Sequence, residues 1–284
     1  MADDSIARLG DLTKPATVLV EKISDAIGGV FKPYQIVRVA KAEAEADRIR
    51  AEAQIQITDL QRRAMYRFLE EEAKKQGNIE GITQKALPLL SEQAEPQKVE
   101  DDWITNFFDK SRIVADREMQ ELWARVLAGE ANAPGTFAKR TVNLLGDLDK
   151  SDAELFMKLC GFGWQIGNIV PLVFDVQHKI YNQHGIDFGS LAHLESLGLI
   201  QFDNLAGYKR LQLPKQFSIS YYGTPIPMRL PKESDNELPV GHVLLTRAGQ
   251  QLAPVCGSQP VDDFLKFATD HWGPLVAGTP EPSG

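Results

Sequence analysis

Only two of the 284 residues are cysteines, Cys160 and Cys256. They lie far apart with no Cys-x-x-Cys spacing, which argues against a zinc ribbon or a disulfide framework and for buried free thiols. No apolar run nears the roughly 20 residues needed to cross a bilayer. The longest candidate, "IVPLVF" from Ile169, is far shorter. The opening "MADDSIARLGDL" is acidic and lacks the charged-then-apolar order of a secretory signal. These absences predict a reducing cytoplasm. Positive charge is also scarce: 31 Lys and Arg stand against 39 Asp and Glu, a formal charge of -8. Phosphate binding needs a basic surface, so a general nucleic-acid coat is disfavoured, although local basic patches remain open.

Catalytic signatures are missing as well. There is no Walker loop, HExxH, GxSxG or kinase set. In "GFGWQIG", Gly161 to Gly167, the third glycine falls one residue late for GxGxxG. The stretch also follows a helix where that motif needs a strand, so it reads as a flexible break. The histidines are scattered, and the six-residue spacing of His178 and His184 suits no common metal-ligand turn. The adjacent acids Asp101-Asp102 and Asp262-Asp263 read as helix N-termini favoured by negative charge. No catalytic, cofactor-binding or metal residue is nominated, no cofactor is expected, and the balance leans away from an enzyme.

What the sequence does contain is helix. Residues 15–31 place Leu19, Ile23, Ala26, Ile27 and Val30 on one face, with Thr13 as a cap, Pro15 in the first turn and Gly28-Gly29 as the break. The opposite face mixes Glu21, Lys22 and Asp25. A membrane-surface helix favours a basic polar face, so packing is preferred over membrane association. From Gln35 to Gln76 no Gly or Pro interrupts a run rich in Ala, Glu, Arg and Gln. Its stripe of Ala46, Ile49, Ala53, Ile57, Leu60, Ala64 and Phe68 steps by threes and fours, near the 3.67 spacing of a straight or slightly right-handed bundle. An unbroken helix of that length would extend roughly 60 Å at 1.5 Å per residue. These seven residues are therefore the expected oligomerisation surface.

The expected organisation has a mainly α N-terminal part and a C-terminal α+β part. It comprises an amphipathic helix (1–34), a coiled-coil-like stem (35–76), a linker (77–100), a helical domain (101–168), a winged-helix-like module (169–257), and a short helix with a disordered tail (258–284). Within the helical domain, "ELWARVLAGEANAPGTFAKRT" from Glu121 joins two amphipathic helices across a turn. Gly129 is read as a terminator and Thr136 as the next cap. Trp123, Arg125, Lys139 and Arg140 are the candidate partner-binding residues. "SDAELF" from Ser151 has the Ser-x-x-Glu capping pattern, with Glu154 in the return position.

In the C-terminal module, "DFGSLAHLESLGLIQF" reads as a helix with Leu191, Leu194, Leu197 and Leu199 inward, and "GTPIP" (Gly223 to Pro227) as a hairpin tip. "HVLLTRAGQQL" reads as a strand running into a helix start. From Ile186 onward there are seven Lys and Arg against ten Asp and Glu, and "SLAHLESLG" has neither Lys nor Arg. A groove-reading helix needs phosphate and base-edge donors, so protein docking is preferred over DNA binding.

Together, "LTKPATVLVEKISDAIGGVFKPYQIVRVAKAEAEADRI", "LWARVLAGEANAPGTFAKRT" and "LLTRAGQQLAPVCG" resemble a bacterial family known as domain of unknown function 2806, over most of the chain. The Pro-led helix followed by the Ala/Glu/Arg helix is similar to the abortive-infection alpha group of phage-defence proteins, which implies a role in defence. Neither resemblance supplies a catalytic residue. The expectation is thus a non-enzymatic, self-associating cytoplasmic protein that docks a protein partner. The alternatives are a nuclease-type effector with a site built from distant residues, and a peripheral membrane protein acting through residues 15–31.

Overall fold

The structure is a computed structural model, described over residues 13–28 and 58–277. It divides into two compact units, Met1–Gly146 and Asp147–Gly284.

Helices alone build the first unit among the described residues. Helix α1 (Lys14–Ile27) ends at Gly28, whose φ of 80° suits glycine. It buries Ala16, Leu19 and Ile23, while Ala26 and Ile27 are half-buried. Thr13 precedes the helix but makes no side-chain cap.

Helix α2 (Asp59–Ala86) departs from the expected 35–76 stem at both ends. Thr58 is extended, with φ −60° and ψ 154°, and forms a capping box with Gln61. Its N–H donates to Gln61 Oε1 at 2.9 Å, and the Gln61 N–H donates to Thr58 Oγ1 at 3.3 Å. A β-branched hydroxyl with Gln three residues on favours this start, so the unbroken 35–76 helix is corrected to a break at Thr58. At the other end, α2 continues through Gly77 and Gly81 into the expected linker, burying Ile79, Ile82, Thr83 and Ala86. Burial of each isoleucine contributes roughly 1.5–3 kcal/mol, which outweighs about 1 kcal/mol for each interior glycine. The remaining connector holds two 3₁₀ turns, Leu87–Leu89 and Pro96–Lys98.

Helices α3 (Asp101–Ser111), α4 (Arg117–Asn132) and α5 (Lys139–Gly146) complete the unit. The fully buried rings of Phe107 and Trp123 meet at 5.1 Å and 75°. Asp101 and Asp102 occupy the first turn of α3, as their charge predicts.

The second unit begins with α6 (Lys150–Cys160). This helix was expected within a 101–168 domain but clusters with the strands that follow. It starts before Ser151: the Asp149 N–H donates to Asp152 Oδ2 at 3.1 Å, replacing the expected Ser151–Glu154 box. A hairpin then forms from β1 (Gly163–Ile166) and β2 (Asn168–Pro171), so the supposed flexible break is a strand centred on fully buried Trp164. Helices α7 (Lys179–Asn182) and α8 (Phe188–Ser196) precede β3 (Ile200–Phe202). They are followed by β4 (Tyr208–Leu213), β5 (Gln216–Tyr221), β6 (Thr224–Arg229), β7 (Asn236–Gly241) and β8 (Val243–Leu245).

The strands form an antiparallel sheet in the order β2-β1-β5-β6, together with the pairs β3-β8 and β4-β7. Pro225 and Pro227 lie in the edge strand β6, where a missing donor is tolerated, and the tip itself is Tyr222-Gly223. The described chain therefore has a helical first unit and an α+β second one.

Helix α9 (Arg247–Leu252) explains the "LTRAG" signal. Thr246 Oγ1 accepts the Gly249 N–H at 3.2 Å and donates to the Gly198 carbonyl at 2.7 Å. A Cβ on Gly249 would lie 2.1 Å from the Leu199 carbonyl oxygen. Gly249→Ala should therefore lower stability by roughly 1–3 kcal/mol, through overpacking against backbone. A reduced urea midpoint at constant slope is expected; an unchanged midpoint contradicts the packing.

The last helix, α10 (Phe264–Trp272), closes an aromatic core with Phe162, Trp164, Tyr181 and Tyr221. His271 stacks on Phe174 at 3.9 Å, and partial burial lowers its imidazole below the ordinary value. The unfolded chain then binds a proton that the folded chain refuses. Stability should fall as pH drops through about 6.5 towards the lowered value and be unaffected above. Urea midpoints at pH 8 and pH 5.5 should converge in His271→Phe relative to the wild type. An identical pH loss in both proteins contradicts the assignment.

Candidate functional site

The Glu121–Thr141 motif is a clasp. Helix α4 passes through Gly129 to Asn132 instead of ending at the glycine. A Cβ on Gly129 would lie 2.8 Å from the Phe137 ring, so this position serves close packing. Glu130 is 3% exposed. Its Oε1 accepts the Gly135 N–H at 2.6 Å and its Oε2 accepts the Phe137 N–H at 2.8 Å. The Phe137 carbonyl in turn accepts Trp103 Nε1–H at 2.7 Å. Asn132 reaches the other way, accepting the Ser91 N–H at 2.8 Å and donating to the Leu89 carbonyl at 3.0 Å. Thr136 does not cap α5; its hydroxyl donates to the Ala133 carbonyl at 2.5 Å within the turn.

Of the four partner candidates in this motif, Trp123 is corrected to a core residue, because its side chain has no exposure. Arg125 is half-buried, while Lys139 and Arg140 are exposed at the start of α5. Lys139 pairs with Asp102 at 3.5 Å. Glu130, which receives two of the loop's amides, carries no motif that singles it out in the sequence. An acid placed just before an Asn-Ala-Pro-Gly turn was the available signal, since a carboxylate there can reach the turn's amides.

The second region is the stem. Ala46, Ile49, Ala53 and Ile57 lie outside the described residues. Leu60, Ala64 and Phe68 are all exposed on the first half of α2, Leu60 at 69% and Phe68 at 61%. Every residue from Thr58 to Glu71 is exposed, and Met65, Tyr66 and Leu69 add further apolar surface. At 100° per residue, Leu60, Ala64 and Phe68 continue the stripe that Ile79, Ile82 and Ala86 bury further along the same helix.

The covered half is held firmly. Gln120 Nε2 donates to Asn78 Oδ1 at 3.2 Å and to the Val114 carbonyl at 2.9 Å. Its Oε1 accepts from Lys85 Nζ at 2.9 Å, and partial burial lowers the ammonium below its ordinary pKa. Asn78 Nδ2 donates to the Arg112 carbonyl at 2.8 Å. Between the covered and bare halves, a groove of about 380 Å³ opens beside Ile27, Glu72, Lys75, Ile79 and Phe108.

Chemistry-bearing groups elsewhere have structural partners. His193 Nε2 lies 2.7 Å from Asp152 Oδ1, joining α8 to α6. Cys160 and Cys256 are free and buried. Burial foremost, then the neighbouring Cys256, pushes the Cys160 thiol up and keeps it protonated. Tyr221, raised to about 12 mainly by burial, donates to the Gly161 carbonyl and accepts the Val261 N–H, both at 2.7 Å. Tyr222 and Ser258 line a cleft of about 320 Å³ beside Cys160, and the tyrosine hydroxyl donates to Ser258 Oγ at 2.7 Å. Among the described residues no cluster of three or more His, Cys, Asp or Glu could hold a metal ion, and no helix is long and apolar enough to cross a membrane.

A helical unit with a half-covered helix, joined in sequence to an α+β unit, defines the class. Residues 62–268 match the model of the family described as "Protein of unknown function (DUF2806)", so the chain belongs to that family. No curated protein and no solved structure gives a match.

Glu130→Gln would leave one amide donor facing a backbone donor. The loss should be roughly 1–3 kcal/mol, the usual penalty for a buried group whose partner is removed. Chemical unfolding checks this, and full wild-type stability in the variant would rule the clasp out.

Proposed function

We propose that this protein works by association, and that the first half of α2 is its self-association surface. The observation that carries this is the run of exposure from Thr58 to Glu71, with Leu60, Met65, Phe68 and Leu69 bare on a well-formed helix. An isolated helix shorter than about 12–15 residues is marginal in water, and helical stability comes chiefly from covering an apolar face. A bare apolar stripe on a rigid element marks an interaction site. Coiled-coil-like pairing of the stem is part of this reading.

The second unit serves as the partner-docking module, in keeping with a winged-helix-like arrangement of α8, the β3-β8 pair and α9. Leu205, 95% exposed in the turn before β4, and Leu211, 60% exposed on it, support a protein-facing surface there. Lys139 and Arg140 remain candidates for partner contact on the first unit. Membrane association through α1 is the weaker reading, because Leu19 and Ile23 have no exposure and Lys22 pairs with Asp101 at 2.7 Å. A place in phage defence rests on the N-terminal likeness alone.

Light scattering at tens of micromolar should give a mass of at least twice the 31.5 kDa chain. The double variant Leu60→Glu/Phe68→Glu should return it to the single-chain value with the helical signal retained. A wild-type monomer, or a variant of undiminished mass, contradicts the proposal.

A further inference from the structure

We infer that Cys160 and Cys256 form a redox pair, a site in the second unit where hydrogen peroxide converts two free thiols into one disulfide. This stands apart from the self-association reading, which concerns the first unit. Its basis is how two chain segments are held together. Cys160 ends α6, and Cys256 lies in the loop that follows α9. Two tyrosine hydroxyls, from the end of β5 and the adjoining turn, clamp those segments. Tyr221 donates to the Gly161 carbonyl and accepts the Val261 N–H, both at 2.7 Å. The Tyr222 hydroxyl lies 2.7 Å from Ser258 Oγ and 3.1 Å from the Cys160 carbonyl oxygen. A Cβ on Gly161 would lie 2.9 Å from the Gln259 carbonyl oxygen, so the two backbones touch between the clamps.

The thiols meet there. Cys256 Sγ donates to the Ala253 carbonyl at 3.2 Å, which leaves its sulfur free to accept the hydrogen bond from the Cys160 thiol. A disulfide needs facing side chains on closely approached backbone, and the clamps and this contact supply them. Access comes from the cleft of about 320 Å³ lined by Cys160, Pro254, Gly257 and Ser258, which has room for a peroxide molecule. The Cys160 sulfur attacks one peroxide oxygen, the O–O bond breaks, and the other oxygen leaves as water carrying the thiol proton. The Cys256 sulfur then attacks the sulfenic acid at Cys160. Its S–O bond breaks, the S–S bond forms, and a second water leaves with the Cys256 proton. Two electrons pass from the thiols to the peroxide. Because Cys160 is held protonated, closing is slow; because its thiolate is a poor leaving group, the closed bond resists reduction. The bond encircles most of the second unit, from the end of α6 to the loop after α9, and so stabilises it against unfolding.

The test uses the full chain, folded, in excess hydrogen peroxide under conditions that fully oxidise free glutathione. The intact mass should fall by two hydrogens, peptide mapping without reductant should join the Cys160 and Cys256 peptides, and the urea midpoint should rise. Dithiothreitol should reverse all three. In Cys256→Ser the midpoint should not rise, and Cys160 should gain oxygen instead of cross-linking. Wild-type thiols that stay free, that gain oxygen without cross-linking, or that bridge only between chains overturn the inference and leave the pair as ordinary core packing. The wild-type mapping decides this even where Cys256→Ser does not fold.

Discussion

An apolar stripe on a helix has to be covered along its whole length, and in this protein the cover stops halfway. From Ile79 to Ala86 the stripe of α2 is buried and bracketed by the Gln120, Asn78 and Lys85 hydrogen bonds. From Leu60 to Phe68 the same stripe is bare. The buried half fixes the helix axis, so the bare half is presented by a rigid element and not by a loop.

The most recognisable motifs in the sequence hold backbone in place. Glu130 gathers two amides of the loop that follows it, and Asn132 ties down the connector at Leu89 and Ser91. Thr246 and Gly249 seat α9 against Gly198 and Leu199. Each motif combines a short polar side chain with a glycine that permits close approach. Such combinations resemble binding sites in sequence, because binding sites also need polar groups and room.

Local periodicity made the helical first unit, the first turn at Asp101-Asp102, the last helix and the strand leading into Thr246 legible. It could not place the breaks. Thr58 interrupts a run with no Gly or Pro because a capping box starts a helix without either residue. Gly77 and Gly81 sit inside a helix because tertiary burial of Ile79 and Ile82 overrides propensity. Trp123 reads as a contact residue in sequence, yet aromatic side chains at helical spacing also build cores, and here it is fully buried. The β1 strand is illegible in sequence because the glycines around Trp164 mimic a break. Of the candidate site, Leu60, Ala64 and Phe68 were legible from spacing, whereas their exposure depends on where the neighbouring helices end.

Hydrogen–deuterium exchange across Thr58–Glu71, followed over a dilution series of the intact protein, tests the central claim most directly. If copies cover this surface, amide protection there should rise with protein concentration while protection from Ile79 to Ala86 stays constant. Protection of Thr58–Glu71 that is the same at every concentration would contradict it.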